Sequence, residues 1–354
     1  MLKVQNWASC RISTKTSSLD WVIRLQDFFY LVLMLRKGLF RLTLLLAFLL
    51  CNSLSGSQLH AQDYVDLLKV NYQLSPTNAQ DSSAKKIDVE DISVSVLLPV
   101  DVNVPYTSWS INFITGLNYN RLSFYPPGDT LGWQRVHEWT LPIGKKIDHS
   151  EKFSGLYLVL PRIRSANPSF KSNQYQLGGV VLFSKQVTPK LKYKFGMYYN
   201  GEFFSPFFVP LAGLYWTPSE KWEITSTLPQ YAYVYYRLHK KMQTGLGFRS
   251  SVGSFRLENP HQSRYLHKST NELFGMLNYT VGRYYFFQVR AGYSIERYYR
   301  VYDEKDRNDW TFSAFKFGDN RIQRNQELAD GLLLQFDFAF RFPIPKKEKD
   351  PELE

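Results

Sequence analysis

Residues 191–200 read Leu191-Lys192-Tyr193-Lys194-Phe195-Gly196-Met197-Tyr198-Tyr199-Asn200. An extended chain turns successive side chains to opposite faces, so Leu191, Tyr193, Phe195, Met197 and Tyr199 share one face. Lys192, Lys194, Gly196, Tyr198 and Asn200 share the other. Outward from this segment the same period recurs. Leu332, Leu334, Phe336, Phe338, Phe340 and Phe342 oppose Leu333, Gln335, Asp337, Ala339 and Arg341. Tyr285, Phe287, Val289, Ala291, Tyr293 and Ile295 alternate with Phe286, Gln288, Arg290, Gly292 and Ser294. Trp109, Ile111, Phe113, Leu117 and Tyr119 form a fourth such face. Helical spacing is sustained nowhere after residue 62, and the chain is read as all-β.

The connections between these runs differ in kind. Gln186–Lys190, Thr217–Lys221, Leu238–Lys241 and Val281–Arg283 are short; Leu74–Lys86, Tyr125–Gln134, Arg162–Ser172, Leu257–Arg264 and Val301–Leu328 are longer. Strands are expected near 63–74, 88–100, 107–123, 134–144, 152–162, 173–185, 190–203, 207–216, 222–228, 230–238, 242–256, 265–281, 284–301 and 330–342. Fourteen strands (12–16 at the limits) with short turns at one end and long loops at the other describe a transmembrane antiparallel up-and-down β-barrel.

A soluble sandwich also alternates, so the choice rests on other features. Several runs exceed twelve residues, longer than ordinary globular strands but suited to tilted membrane staves. The polar face carries Lys192, Lys194, Arg249, Arg290, Asp337 and Arg341, which a wet lumen tolerates and a sandwich core does not. Trp109, Trp139, Trp216, Trp222, Tyr284 and Tyr298 fall near strand ends, where an interfacial girdle belongs. A closed barrel also leaves no backbone donor facing lipid.

The N-terminal sixty residues read as an address. Arg36, Lys37 and Arg41 precede the apolar run 42–51, which gives way to small and polar residues up to Ala61. That is the layout of a cleavable signal peptide over 34–61, with 1–33 an upstream extension of the gene start before Met34. Cys51 follows a bulky Leu50, which argues against lipid attachment. The only two cysteines, Cys10 and Cys51, both precede residue 62, so the remainder has no disulfide framework. The whole chain of 354 residues carries a net charge of +12. Seven basic and two acidic residues lie within 1–61, which leaves +7 on the rest, scattered singly. No basic block suits nucleic acid.

Four stretches together carry a resemblance: residues 62–72 (QDYVDLLKVNY), 114–121 (ITGLNYNR), 149–161 (HSEKFSGLYLVLP), and Trp222-Glu223-Ile224 with Leu228-Pro229-Gln230. The chain resembles a Gram-negative family of outer-membrane β-barrels known as a domain of unknown function. The resemblance covers most of 62–343. It implies the cell outer membrane and the barrel, and brings no activity, ligand or catalytic residue. The alternation Phe336–Phe342 looks like the signal read by the barrel-insertion machinery. That signal usually ends the chain, whereas here 344–354 follow as a charged periplasmic tail.

Chemistry is sparse. His137, His149, His239, His261 and His267 show no ligand spacing with one another or with cysteine, and neither a metal nor a cofactor is expected. One constellation could act: His267, Ser269 and Asn271 share a strand face assigned to lipid with Leu273 and Leu277. A base beside a hydroxyl at the outer rim is what an outer-membrane lipid hydrolase needs, of phospholipase or lipid A deacylase type, and such enzymes carry a similar His-x-Ser. No glycine follows Asn271, and His261-Gln262-Ser263 repeats the three-letter pattern by chance. The bland reading is a polar cluster where strand meets loop. The lumen is the other candidate. Its six charged residues either line a mildly anion-favouring pore for small solutes or pair across a closed interior. The loop Val301–Leu328, with Trp310, Phe312, Phe315 and Phe317, is expected either to fold inward as a constriction or to form a surface patch, with 303–326 as a docking platform. The leading reading is an outer-membrane pore or passive transport/structural barrel without catalysis, with outer-membrane lipids and the insertion machinery as partners.

Overall fold

A computed structural model describes residues 64–79, 82–103, 110–127, 132–167, 171–257 and 263–343. The segments 1–33, 34–61 and 344–354, together with Trp109 and His261, lie outside the described residues. The strands are β1 (Tyr64–Ala79), β2 (Ser82–Asn103), β3 (Ser110–Phe124), β4 (Gln134–Thr140), β5 (Ile143–Ser150), β6 (Phe153–Ser165), β7 (Tyr175–Thr188), β8 (Leu191–Gly201), β9 (Pro206–Trp216), β10 (Trp222–Thr227), β11 (Tyr231–His239), β12 (Met242–Leu257), β13 (Arg264–Val281), β14 (Tyr285–Asp303), β15 (Trp310–Phe312), β16 (Phe315–Phe317) and β17 (Gly331–Pro343). The helical content among the described residues is one 3-10 turn, Ser172–Gln174.

Neighbouring strands pair antiparallel in chain order, and β17 returns to β1 with Tyr64 opposite Pro343, which closes the sheet. β4 and β5 lie end to end between β3 and β6, one stave interrupted at Leu141-Pro142, where proline has no N–H to give the ladder. The β15–β16 hairpin belongs to the last loop. Fourteen staves therefore make the barrel wall. Both chain ends of the barrel lie at the rim that carries the short turns, the periplasmic side in bacterial barrels.

The period-two faces sort as their chemistry requires. Leu332, Leu334, Phe336 and Phe342 are exposed on the outside of β17, while Leu333, Gln335, Asp337 and Ala339 are buried inside. On β8, Tyr193, Phe195, Met197 and Tyr199 are exposed outward. Leu273 and Leu277 on β13 and Tyr285, Phe287, Val289, Tyr293 and Ile295 on β14 continue the band. An apolar belt on the outside of a closed barrel is the build of an outer-membrane protein, because lipid accepts apolar side chains but no unpaired backbone group.

One expected loop is mostly strand. Within 74–86, read as a long connection, residues 74–79 and 82–86 are strand: Ser75 faces Val89 and Thr77 faces Ile87. There the ladder runs on above the belt, where the outer face meets water, so alternation in hydrophobicity fades while the hydrogen bonds persist. β14 holds a second departure. Ser269 pairs with Tyr298 but Asn271 with Ile295, a bulge centred near Glu296, whose φ is 50°. The extra residue inverts the faces, so odd residues point out up to Ile295 and Tyr299 and Val301 point in.

The belt assignment predicts that Phe336→Arg, at mid-belt, destabilises the folded barrel by about 2–4 kcal/mol. Ser251→Arg, on the water-facing side of β12, is expected to cost no more than about 0.5 kcal/mol. Urea unfolding in phospholipid vesicles distinguishes the two.

Candidate functional site: the lumen and its closed outer end

All six charged residues expected in the lumen come from inward positions, but they divide into two groups. Arg249 on β12 donates through Nε and Nη2 to Glu272 Oε2 at 2.9 and 2.6 Å, and Nη2 also reaches Gln73 Oε1 at 2.7 Å and Gln335 Oε1 at 3.1 Å. Gln335 Nε2 donates to Asp337 Oδ1 at 2.8 Å, and Arg290 Nε lies 3.5 Å from Asp337 Oδ2. Arg290 also donates to Gln288 and sits over the Phe274 ring. Arg341 donates to Asp66 Oδ1 at 2.7 Å. Thus Arg249, Arg290, Asp337 and Arg341 neutralise one another or a neighbour across β1, β12–β14 and β17.

Lys192 and Lys194 behave differently. They stand half-buried on β8, with Lys194 Nζ 3.5 Å from Thr225 Oγ1, and no carboxylate pairs with either among the described residues. Lys146 on β5 adds a third ammonium, exposed and 3.1 Å from Asp148. On one wall Arg249, Arg290 and Arg341 therefore each face a carboxylate, while Lys192 and Lys194 on the other face none among the described residues.

Towards the outer end lies a network that sequence reasoning did not anticipate. Arg164 on β6 donates from Nη2 to Glu138 Oε1 at 2.9 Å and from Nη1 to Glu202 Oε1 at 3.0 Å. Glu202, fully buried, also accepts from Asn200 Nδ2 and from Ser254 N and Oγ at 2.7 and 2.6 Å. Gln176 Nε2 donates to Ser254 Oγ at 3.2 Å. Gly253 makes room for it: a Cβ there would lie 2.9 Å from Arg164 Nη1. Glu138 and Arg164 sit amid unremarkable polar sequence.

Two apolar clusters shut the outer end. Ile87, Val89, Leu122, Phe124 and Val136 on one wall meet Phe255, Leu257, Leu266, Tyr299 and Val301 on the opposite wall, with Leu328 between them. This contact requires β12 to cross inward, and it does: Arg256 pairs with Ser165 in parallel, and Ala166 N donates to Arg256 O at 2.8 Å. On the other side Phe207, Val209 and Leu211 of β9 pack with Tyr265 and Tyr302, and Val252 packs against them. Among the described residues, the upper cross-section is filled with side chains.

The expected hydrolase face is not formed. His267 does not look at acyl chains; it is buried, stacked on Phe204 at 4.1 Å and edge-on to Tyr298. Its Nδ1 accepts from Arg321 Nη1 at 3.2 Å, and its Nε2 is buried with no hydrogen-bond partner. Ser269 is buried too, and no hydrogen bond joins it to His267 among the described residues. Asn271 faces outward two residues below, opposite Ser250. The cause is the last loop, which covers this face above the belt. Arg321 is held there by Asp319, with Nε and Nη2 at 2.8 and 2.9 Å, and these bonds keep the Asp319 carboxyl below its ordinary range.

Trp216, Trp222 and Tyr284 are exposed at stave ends, and Trp139 is exposed beside the β4–β5 break. Tyr298 is not part of the expected interfacial girdle: its ring lies against His267, Arg300 and Lys316, above the belt. The last loop divides: Val301 and Leu328 at its ends pack into the cluster that fills the outer end, while its middle stays outside. Its β15–β16 hairpin lies along β9, and Trp310, Phe315 and Phe317 remain exposed.

The sequence family described as Domain of unknown function (DUF6268) matches residues 58–327. No curated protein matches the chain. Among solved structures it is similar to the COG4313 outer membrane channel from Pseudomonas putida F1, with 10% identity, a TM-score of 0.41, and coverage of 81% of this chain and 99% of that one. It is also similar to the NanC porin, with 11% identity, a TM-score of 0.33, and coverage of 77% and 98%. A TodX monoaromatic hydrocarbon channel mutant shows 10% identity, a TM-score of 0.36, and coverage of 78% and 90%. Likeness this remote identifies no ligand.

Glu202→Gln removes the charge that compensates buried Arg164 and leaves hydrogen-bond donors facing an amide. The expected destabilisation is about 3–5 kcal/mol, the range for breaking a buried ion pair. Glu138→Gln leaves Arg164 paired with Glu202 and should cost less. Urea midpoints of the two variants, read from the loss of the heat-modifiable band on gels, check the order.

Proposed function

The chain belongs to the DUF6268 family of domains of unknown function, and from that footing we propose that it works as a passive outer-membrane channel for small solutes, without catalytic chemistry. The observation that carries this reading is the sorting of charge. Lys192 and Lys194 share one face of β8 and pair with no carboxylate among the described residues, while Lys146 on β5 pairs with Asp148, so this wall carries three ammonium groups against one carboxylate. A barrel needed only as a rigid peg gains nothing from an unbalanced interior, whereas a field of one sign in a narrow, low-dielectric passage favours counter-ions. Small anionic or neutral solutes are the proposed cargo.

The filled outer end makes the described conformation the closed one, and opening requires β12 or the last loop to move. Outer-membrane lipids around the belt and the insertion machinery at 336–342 are the proposed partners. The hydrolase alternative draws no support from His267, whose Nδ1 is occupied and whose Nε2 reaches no hydroxyl.

Purified protein in a planar bilayer should give discrete conductance steps, and the steps should favour anions. Lys192→Glu with Lys194→Glu should move the reversal potential under a salt gradient toward cations. Silence across several hundred millivolts, or an unchanged potential in the variant, contradicts the proposal.

A further inference from the structure

The β15–β16 hairpin reads Trp310-Thr311-Phe312-Ser313-Ala314-Phe315-Lys316-Phe317. Cross-strand partners share a face, and the pairs are Trp310 with Phe317, Thr311 with Lys316, and Phe312 with Phe315. All four aromatic rings therefore lie on one face. The middle pair lies on the other. Thr311 is buried, with its Oγ1 2.7 Å from Ser205 Oγ, and Lys316 Nζ stands 5.2 Å from the centre of the Tyr298 ring. The polar face thus meets the barrel, and the aromatic face looks away from it. Phe315 is 68% exposed, and Trp310 and Phe317, stacked with ring centres 4.0 Å apart, are exposed beside it. An uncovered patch of this kind marks a contact surface.

Its height says what it meets. β15 runs parallel to β9, with Thr311 beside Phe207 and Phe312 beside Phe208, and Ser313 N donates to Phe208 O at 2.7 Å. This is the edge of β9 that β10 uses lower down, through Trp216, Tyr215 and Ala212. Phe208 stands eight residues above Trp216, which is exposed at the other end of the strand. At about 3.3 Å per residue and a tilt of about 45°, that separation is about 19 Å, inside an apolar band of about 25 Å. Phe312 and Phe315 therefore lie within the band. Trp310 and Phe317, two residues higher, lie near its outer edge, the depth at which tryptophan belongs. The neighbours agree: Phe208 is exposed, and its ring centre lies 4.9 Å from that of Tyr199, an outward residue of β8.

We propose that the β15–β16 hairpin is seated in the bilayer, with its aromatic face against the acyl chains of the outer leaflet. The face is continuous with the belt through Phe208 and Tyr199. Its single polar group is the indole N–H of Trp310, on the pair nearest the headgroups. Hydrocarbon suits such a face, whereas a polar partner would bury its own groups there without hydrogen bonds. The seat also anchors the last loop, whose Arg321 reaches His267 and whose end, Leu328, packs into the outer-end cluster. It rests on the belt and holds whether or not the barrel conducts.

The test uses the full chain in phosphatidylcholine vesicles, with the heat-modifiable band confirming that each variant is folded. Cys10→Ser and Cys51→Ser remove the native thiols, and Phe315→Cys carries a bimane fluorophore. Bromine on the acyl chains should quench this label several-fold more than iodide supplied on both sides. The same label at Phe317→Cys gives a second reading and should follow the same order. At Lys305→Cys, exposed in the same loop, the order should reverse. Quenching mainly by iodide at 315 or 317 overturns the seat and leaves the aromatic face as a surface for a partner arriving from water.

Discussion

A backbone N–H or C=O in hydrocarbon must find a partner within the protein. Almost every unusual feature here answers to that demand. It closes fourteen staves on themselves with Tyr64 opposite Pro343, and it allows the β4–β5 break only where Pro142 would have had nothing to donate. It also explains why so short a β10–β11 hairpin does not leave two raw edges. A parallel strand from a loop satisfies one edge, and an inward bend satisfies the other. The same bend brings opposite walls together, so closure of the outer end follows from edge protection rather than from a separate plug domain.

Once the walls meet, side-chain chemistry decides what fills the space. Apolar residues make a dry core of Ile87, Phe124, Phe255 and Val301, in which the hydrophobic effect acts as in any globular domain. The polar groups that cannot avoid this region are gathered around Arg164, where two carboxylates and the hydroxyl of Ser254 satisfy the guanidinium and one another. Such a network specifies one arrangement of β4, β6, β8 and β12, because each displaced partner strands a buried charge. Lower down, where water can enter, balance is no longer compulsory, and the Lys146–Lys192–Lys194 wall departs from it.

Much of the barrel was legible because lipid and lumen impose a binary choice on every residue of a stave, and β8 and β17 obey it without exception. The reading lost accuracy where that choice lapses. Above the belt the apolar alternation lapses, so residues 74–79 and 82–86 looked like loop although they are strand. At Glu296 one added residue inverts the faces of β14. For a related reason the alternative of a lipid-facing site at His267, Ser269 and Asn271 draws no support from their surroundings. Strand parity placed His267 outward correctly, but parity does not report that Phe204 and Arg321, from loops distant in sequence, would cover it. The Arg164 network was hidden too, since its members come from five separate strands and each looks ordinary alone.

The account depends most on which side of the wall each β8 residue meets, and nitroxide labels placed singly at positions 192–199 in lipid vesicles read that directly. Labels at 193, 195, 197 and 199 should collide with oxygen dissolved in the acyl chains and resist a water-soluble nickel chelate, with the opposite preference at 192 and 194. Uniform chelate access along the strand, or chelate-accessible odd positions, would contradict it.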